Sequence, residues 1–297
     1  MQVATFRATV ASTVPFVSSV NPNGGPVAGG TPVTITGTNF AAGATVTFGG
    51  TAATNVVVVN GTTITATTPA HTAGAVTVTV TVNSQSGSLT NGFTYNGAVA
   101  IGFAQVAAAT PQSSVTTVSV SYPAAQTAGD LNVVVVGWND TTATVQSVKD
   151  SGGNIYSLAI GPTTGTALRQ AIYYLSDIAG GANTVTVTFN QPAAFPDVRI
   201  LEYRGVNAVD VTAGLSGNST AASSGSATTK IANELIFGAN TVFTGNAAAG
   251  SGFTSRIITS PDSDMAEDKV VTTAGSNTAT ATLTSSGPWV MQMVTFK

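Results

Sequence analysis

The sequence predicts an all-β protein of two antiparallel β-sandwiches in series, the second the larger. Three observations carry this. Thr, Ala, Val and Gly dominate, and charged residues make up 7% of the 297 residues, against ~25% in a typical soluble protein. Such a composition is poor in helix formers and rich in β-branched residues and breakers. Apolar and polar residues also alternate in short runs punctuated by Gly, Pro and Asn, the pattern of half-buried strands and turns. Finally, charge is partitioned: residues 8–129 contain no Asp, Glu, Lys or Arg, and all 12 carboxylates lie between Asp130 and Asp268.

Composition removes several functions at once. Affinity for phosphate comes from Lys and Arg releasing counterions, and residues 8–148 contain neither, so nucleic acid is not an expected partner. The longest apolar runs, such as Val133–Val136, are of strand length, far short of the ~20 residues of a membrane-spanning helix. With 0 cysteines, the chain has no disulfide or thiolate site. Met1–Arg7 has neither a basic n-region nor a continuous apolar h-region, so no secretory signal is read there. Residues 3–10 alternate well enough to form an extra strand within an N-terminal segment, 1–13.

The first sandwich is expected over residues 14–97. Pro15 opens its first strand, and Val20-x-Pro22-x-x-Gly25 makes the exit turn. Gly29-Gly30 leads into Val33–Gly37, with Phe40 three residues on; Val46-x-Phe48-Gly49-Gly50 is the next strand and turn. Ala52, Asn55–Val59, Ile64, Pro69, Gly74-x-Val76-x-Val78-x-Val80 and the closing Phe93-x-Tyr95 follow. Val33, Ile35, Phe40, Val46, Phe48, Ile64, Val76, Val78, Val80 and Phe93 would supply the inward faces of about seven strands. The paired glycines fall where positive φ is needed. In this order and spacing the segment resembles the IPT/TIG family of immunoglobulin-like domains. The resemblance implies an immunoglobulin-like β-sandwich serving as a spacer or adhesive module.

From residue 98 to 297 the strands lengthen and charges appear at intervals. Candidates are Val115–Tyr122, Leu131–Trp138, Val145–Lys149, Ile155–Ile160, Leu168–Tyr174, Thr184–Phe189 and Val198–Tyr203, then Leu235–Val242, Thr254–Thr259, Lys269–Thr273, Thr278–Leu283 and Val290–Phe296. So many strands without helical period indicate a large antiparallel jelly-roll β-sandwich. Ala128-Gly129-Asp130-Leu131-Asn132-Val133 and Ala232-Asn233-Glu234-Leu235-Ile236-Phe237 echo each other, each opening a long strand, compatible with two related halves. The phrases Gly129-Asp130-Leu131, Val148-x-Asp150-x-x-Gly153-Asn154-x-Tyr156, Asp197–Tyr203 and Phe253-Thr254-Ser255-Arg256 resemble jelly-roll modules of predicted bacterial surface and secreted proteins. That resemblance implies a fold and no assigned activity.

No catalytic residue is expected. His71 is the one histidine and has no carboxylate near it in sequence, so it reads as a loop residue. Glu202 is the best single acid, sharing a strand face with Val198 and Ile200, but the plainer reading is a buried Glu held by Arg204, Arg169 or Arg256. Asp262-Ser263-Asp264-Met265-Ala266-Glu267-Asp268 reads as a loop in which Asp262, Asp264, Glu267 and Asp268 could ligate calcium, since Ca²⁺ takes six to eight oxygens; a solvated hairpin is the alternative. No other cofactor is called for. For a sugar, the candidates are Trp138, Asn139, Tyr174 and Trp289, because aromatic faces stack on sugar rings with amides around them. Tyr173 and Tyr174 must point to opposite faces, so only one is expected in the core. The alternative for both Trp residues is that they cap the core.

These readings favour a non-enzymatic extracellular or cell-surface structural or adhesion protein, an IPT/TIG spacer with a jelly roll that binds surface glycan or polysaccharide. The alternative is a self-assembling subunit of a filament or virion appendage, whose N-terminal strand docks on an identical subunit, because few charges guard its sheet edges.

Overall fold

The computed structural model describes residues 14–97 and 99–297. All regular structure among them is β, and no helix is long and apolar enough to cross a membrane. The segment 1–13, with its expected docking strand, lies outside the described residues. Two compact units are present, Met1–Ala98 and Val99–Lys297.

The first unit carries β1 (Phe16–Asn21), β2 (Gly24–Pro26), β3 (Pro32–Thr38), β4 (Thr45–Phe48), β5 (Thr51–Ala52), β6 (Thr54–Asn60), β7 (Thr63–Thr67), β8 (Gly74–Val82) and β9 (Gln85–Asn96). They form two sheets, β1-β3-β7-β6 and β2-β9-β8-β4-β5, antiparallel except for β2 against β9. Alternation works as expected: every residue named above as inward-facing is buried in one core. Phe93 meets Phe48 and Tyr95 edge-on at 5.3 and 5.0 Å, contacts worth about 1 kcal/mol each beyond their burial. Gly29-Gly30 and Gly49-Gly50 have φ of 74°, 82°, 57° and 87°, the left-handed conformation those turns demand.

The second unit carries β10 (Gly102–Ala109), β11 (Val115–Ser121), β12 (Leu131–Trp138), β13 (Val145–Asp150), β14 (Ser157–Thr164), β15 (Arg169–Leu175), β16 (Thr184–Ala193) and β17 (Asp197–Arg204). It continues with β18 (Val209–Thr228), β19 (Glu234–Val242), β20 (Asn246–Ala249), β21 (Thr254–Ile258), β22 (Met265–Val271) and β23 (Ser276–Phe296). The jelly roll is present twice. The first, β10 to β17, has sheets β10-β17-β12-β15-β14 and β11-β16-β13.

In the second, β18 and β23 form one long ribbon whose register breaks where Ser219 pairs Gly287 and Ala221 pairs Thr282. There it folds over: Ala279, Ala281 and Leu283 pack in one cluster with Met291 and Met293 of the same strand. The halves of β18 and β23 therefore act as separate strands. Counted so, the second roll repeats the first, with residues 209–219 and 287–296 flanking β19, β22 and β21, and residues 221–228 and 276–283 beside β20. The sequence echo falls on equivalent strands, since Leu131 faces Tyr203 in one roll as Leu235 faces Phe296 in the other.

The two larger sheets face each other across a shared core that includes Leu131, Val133, Leu201 and Tyr203 from one and Leu235, Phe237, Val294 and Phe296 from the other. Both sheets are covered on both sides, which is why every residue of β12 and β19 is buried and why those strands read as apolar runs rather than alternating ones. The contact is pseudo-symmetric. By register Gln170 is equivalent to Asp264, and Arg199 to Gln292. Gln170 bonds Gln292, and Arg199 faces Asp264, so each roll offers the same two positions to the other, as across a two-fold axis.

Gly137 marks a close approach of the two rolls at the Asn139 end of β12. A Cβ there would stand 2.3 Å from Thr241 Oγ1, which donates to Gln170. Gly137→Ala is therefore expected to cost about 1–3 kcal/mol in urea unfolding; an unchanged midpoint would contradict this packing.

Candidate functional site

At the same end the inter-roll interface opens to solvent. Loops after β12, β19 and β21, with the loop before β17, enclose a cleft of about 190 Å³ lined by Asn139, Phe195, Val242, Phe243, Pro261, Asp262 and Asp264. Phe195 and Phe243 are 45% and 48% exposed. Phe195 has φ of 43°, an uncommon and strained conformation for an aromatic residue. Its loop is held from the β12 side: Asn139 N–H donates to Ala194 O at 2.8 Å, and Ala194 N–H donates to the Asp140 carboxylate at 2.9 Å. Burial pushes the Asp140 carboxyl up, but the N–H groups of Ala194, Ala143 and Thr142 together bring it below its ordinary value. The Asn139 side chain makes no hydrogen bond to a described residue and is left to the cleft.

The floor is a buried ionic cluster. Arg199 Nε pairs with Asp197 Oδ1 at 2.8 Å, its Nη2 lies 3.8 Å from Asp264 Oδ2, and Nη1 donates to Asn240 O and Met265 O. Thr259 Oγ1 donates to Asp197, and Val242 N–H to Asp264. Burial raises both carboxyls, Asp264 strongly; the other aspartate adds to the Asp264 shift, and Arg199 opposes it in each. At the rim, Asp262 accepts from Gln112 Nε2 at 2.9 and 3.2 Å.

The structure brings Asn139, Asp262 and Asp264 together and scatters the other candidates. Trp138 is 1% exposed and edge-on to Phe189 in the core of the first roll; Trp289 is 7% exposed and bonds Ser219. Neither offers a face to a sugar, which corrects their reading as sugar platforms; both take the alternative place, in the core. Tyr174 is half-buried between the rolls, edge-on to Phe296, while Tyr173 packs on the other side of the sheet. Both tyrosines are core residues because their sheet has a core on each face.

The calcium reading is corrected too, since Met265–Val271 is a strand and its carboxylates diverge. Glu267 accepts from Gly250 N–H at 2.8 Å; Asp268 accepts from Arg256 Nε and Nη2 and from the Tyr203 hydroxyl. No group of three potential ligands among the described residues is placed to hold a metal. Glu202 is buried, but its partners are the Gln105 amide and Thr127 N–H rather than an arginine. Beside it, burial and then the Glu202 charge push Asp130 up to about 6. His71 stacks on Tyr95 at 5.1 Å. The sequence reading missed Phe195 and Phe243, whose only signal is an aromatic placed just outside a strand end.

Residues 15–95 match the family model of the IPT/TIG domain. No curated protein matches the chain. Among solved structures, the chain is similar to an auxiliary nutrient binding protein from Bacteroides ovatus, with 24% identity over 31% of this chain and 22% of that one, at a TM-score of 0.24. A second, an auxiliary nutrient binding protein from Bacteroides thetaiotaomicron, has 16% identity over 48% and 26%, also at 0.24. SGBP-B from a complex xyloglucan utilization locus in Bacteroides uniformis has 12% identity over 66% and 74%, at 0.26. The match thus spans about a quarter or less of the first two proteins, and these scores pair no residues. The family assignment rests on the first unit, whose buried alternation and glycine turns fit the family model: residues 15–95 are an IPT/TIG domain of immunoglobulin-like fold.

Proposed function

We propose that this is a non-enzymatic extracellular or cell-surface protein whose double jelly roll recognises a neutral glycan, with the IPT/TIG domain as spacer or adhesive module. The observation that carries the reading is the pair of exposed phenylalanines, Phe195 and Phe243, flanking one cleft with the free Asn139 amide and the Asp262 carboxylate. Aromatic faces take the apolar face of a sugar ring, and amide and carboxylate take its hydroxyls. Acid–base catalysis is disfavoured by the same geometry. Asp197 and Asp264 are committed to Arg199, which leaves Asp262, beside Gln112, as the one lining carboxylate with acceptor capacity for a sugar hydroxyl, so no free carboxyl pair faces the cleft as glycoside hydrolysis would need.

Phe195→Ala and Phe243→Ala are each expected to weaken binding to neutral oligosaccharides about tenfold, a loss of about 1.4 kcal/mol, with unfolding midpoints little changed. Calorimetry against cellohexaose, mannohexaose and xyloglucan oligosaccharides tests this. Binding unaltered in both variants, or absent for every neutral sugar, would overturn it.

A further inference from the structure

The duplication supplies an internal control. Equivalent places in the two rolls share strand order and register, so a place that is sealed in one and open in the other has diverged. The clearest case is the side of the sandwich where β13 ends the small sheet and β14 ends the large one.

In the second roll this space is filled. Glu267, equivalent to Tyr173 by register, is fully buried and accepts Gly250 N–H. Gly250 is seated so closely that a Cβ would lie 2.6 Å from Thr280 O. Phe253, which precedes β21 as Tyr156 precedes β14, is capped by Lys269 at 4.6 Å.

In the first roll the space is a groove of about 590 Å³. Tyr173 lines it, with its ring against the core and its hydroxyl making no hydrogen bond to a described residue. Ile155 stands at its edge, 66% exposed. Val145, Val148 and Tyr156 add apolar surface, and Gln146, Ser147 and Lys149 are its polar lining. Lys149 makes no ion pair, hydrogen bond or ring contact with a described residue through its ammonium, in contrast with Lys230, Lys269 and Lys297. The nearby Asp150 carboxylate is occupied by Asn154 and Asn183.

We propose that this groove is a second binding site, for an oligosaccharide bearing a carboxylate, that is, a uronic-acid sugar. Tyr173 and Ile155 take the apolar ring face, Gln146 and Ser147 the hydroxyls, and Lys149 the carboxylate. The site is separate from the Phe195–Phe243 cleft and does not depend on it.

The test is calorimetry of the full chain with oligogalacturonate, oligoguluronate and glucuronoxylan oligosaccharides, with cellohexaose as the neutral comparison. At least one acidic sugar should bind, more weakly as salt rises. Lys149→Gln should lower that affinity about tenfold, and Lys149→Arg should retain most of it. Gln146→Trp, which fills the groove without removing a buried contact, should abolish it, whereas Phe243→Ala should leave it unchanged. No binding by any of the three sugars overturns the proposal, as does equal binding by Lys149→Gln and Gln146→Trp. Loss in Phe243→Ala with retention in Gln146→Trp would place acidic sugars in the cleft and overturn the groove alone.

Discussion

Replacing Arg199 by Met is expected to destabilise the second unit by about 3–5 kcal/mol, the cost of leaving buried charge without its partner. The side chain is fully buried, pairs with Asp197, faces Asp264 and donates to two backbone carbonyls. Methionine keeps much of the stem but leaves two buried carboxyls against each other. Burial already holds both above their ordinary 3.8 and Arg199 alone supplies the opposing charge, so its removal drives them to keep a proton. A carboxyl raised in the fold stabilises below its unfolded pKa and loses that contribution as pH rises. The deficit should therefore be larger at pH 8 than at pH 5. For a unit of this size the melting temperature should fall by roughly 10 °C. Adding Asp197→Asn and Asp264→Asn should recover most of the loss, because neutral amides need no counter-charge. Urea unfolding of the three proteins at both pH values decides it. A small, pH-independent change in Arg199→Met would show that the cluster does not hold the rolls together.

What the sequence made legible follows from how many faces each strand buries. The first unit has one core, so period two marks its inward residues correctly from Val33 to Phe93. In the second unit β12, β17, β19 and the end of β23 are covered on both sides, and alternation disappears where burial is greatest. The strands that went unread, β10, β18 and β20, are rich in Ala, Ser and Gly and have no strong strand preference of their own. They are strands because β17 and β23 offer them free edges. The acidic run 262–268 reads as a loop because nothing in it signals that Arg199, remote in sequence, and Arg256 and Gly250, across the β21–β22 hairpin, will pair with or donate to its carboxylates. Asn139 is a candidate in the sequence because amides surround a stacked sugar ring, and it lines the cleft. Phe195 and Phe243 are not candidates there, since exposure of an aromatic at a strand end depends on how two rolls meet.

Glu267→Gln is expected to stabilise the protein at pH 8 by up to about 3 kcal/mol and to leave it nearly unchanged at pH 4.5. Glu267 is fully buried, with Oε2 accepting from Gly250 N–H at 2.8 Å. Burial pushes its carboxyl from 4.5 to about 7, against the opposing pull of the Gly250 and Thr280 N–H groups and Lys269. The folded state thus holds a proton that the unfolded chain releases. The stabilising contribution is complete below pH 4.5 and disappears as pH rises through 7. At 1.36 kcal/mol per unit the loss amounts to about 3 kcal/mol. Glutamine has the same shape, can accept from Gly250 N–H, and never ionises, so its stability should not fall in that interval. Asp130, raised to about 6, contributes a slope of the same sign in both proteins; only the part between pH 5 and 7.5 that belongs to Glu267 should vanish. Unfolding free energies measured across pH 4.5–8 separate the two, and parallel curves for wild type and variant would mean that Glu267 is ionised in the fold throughout.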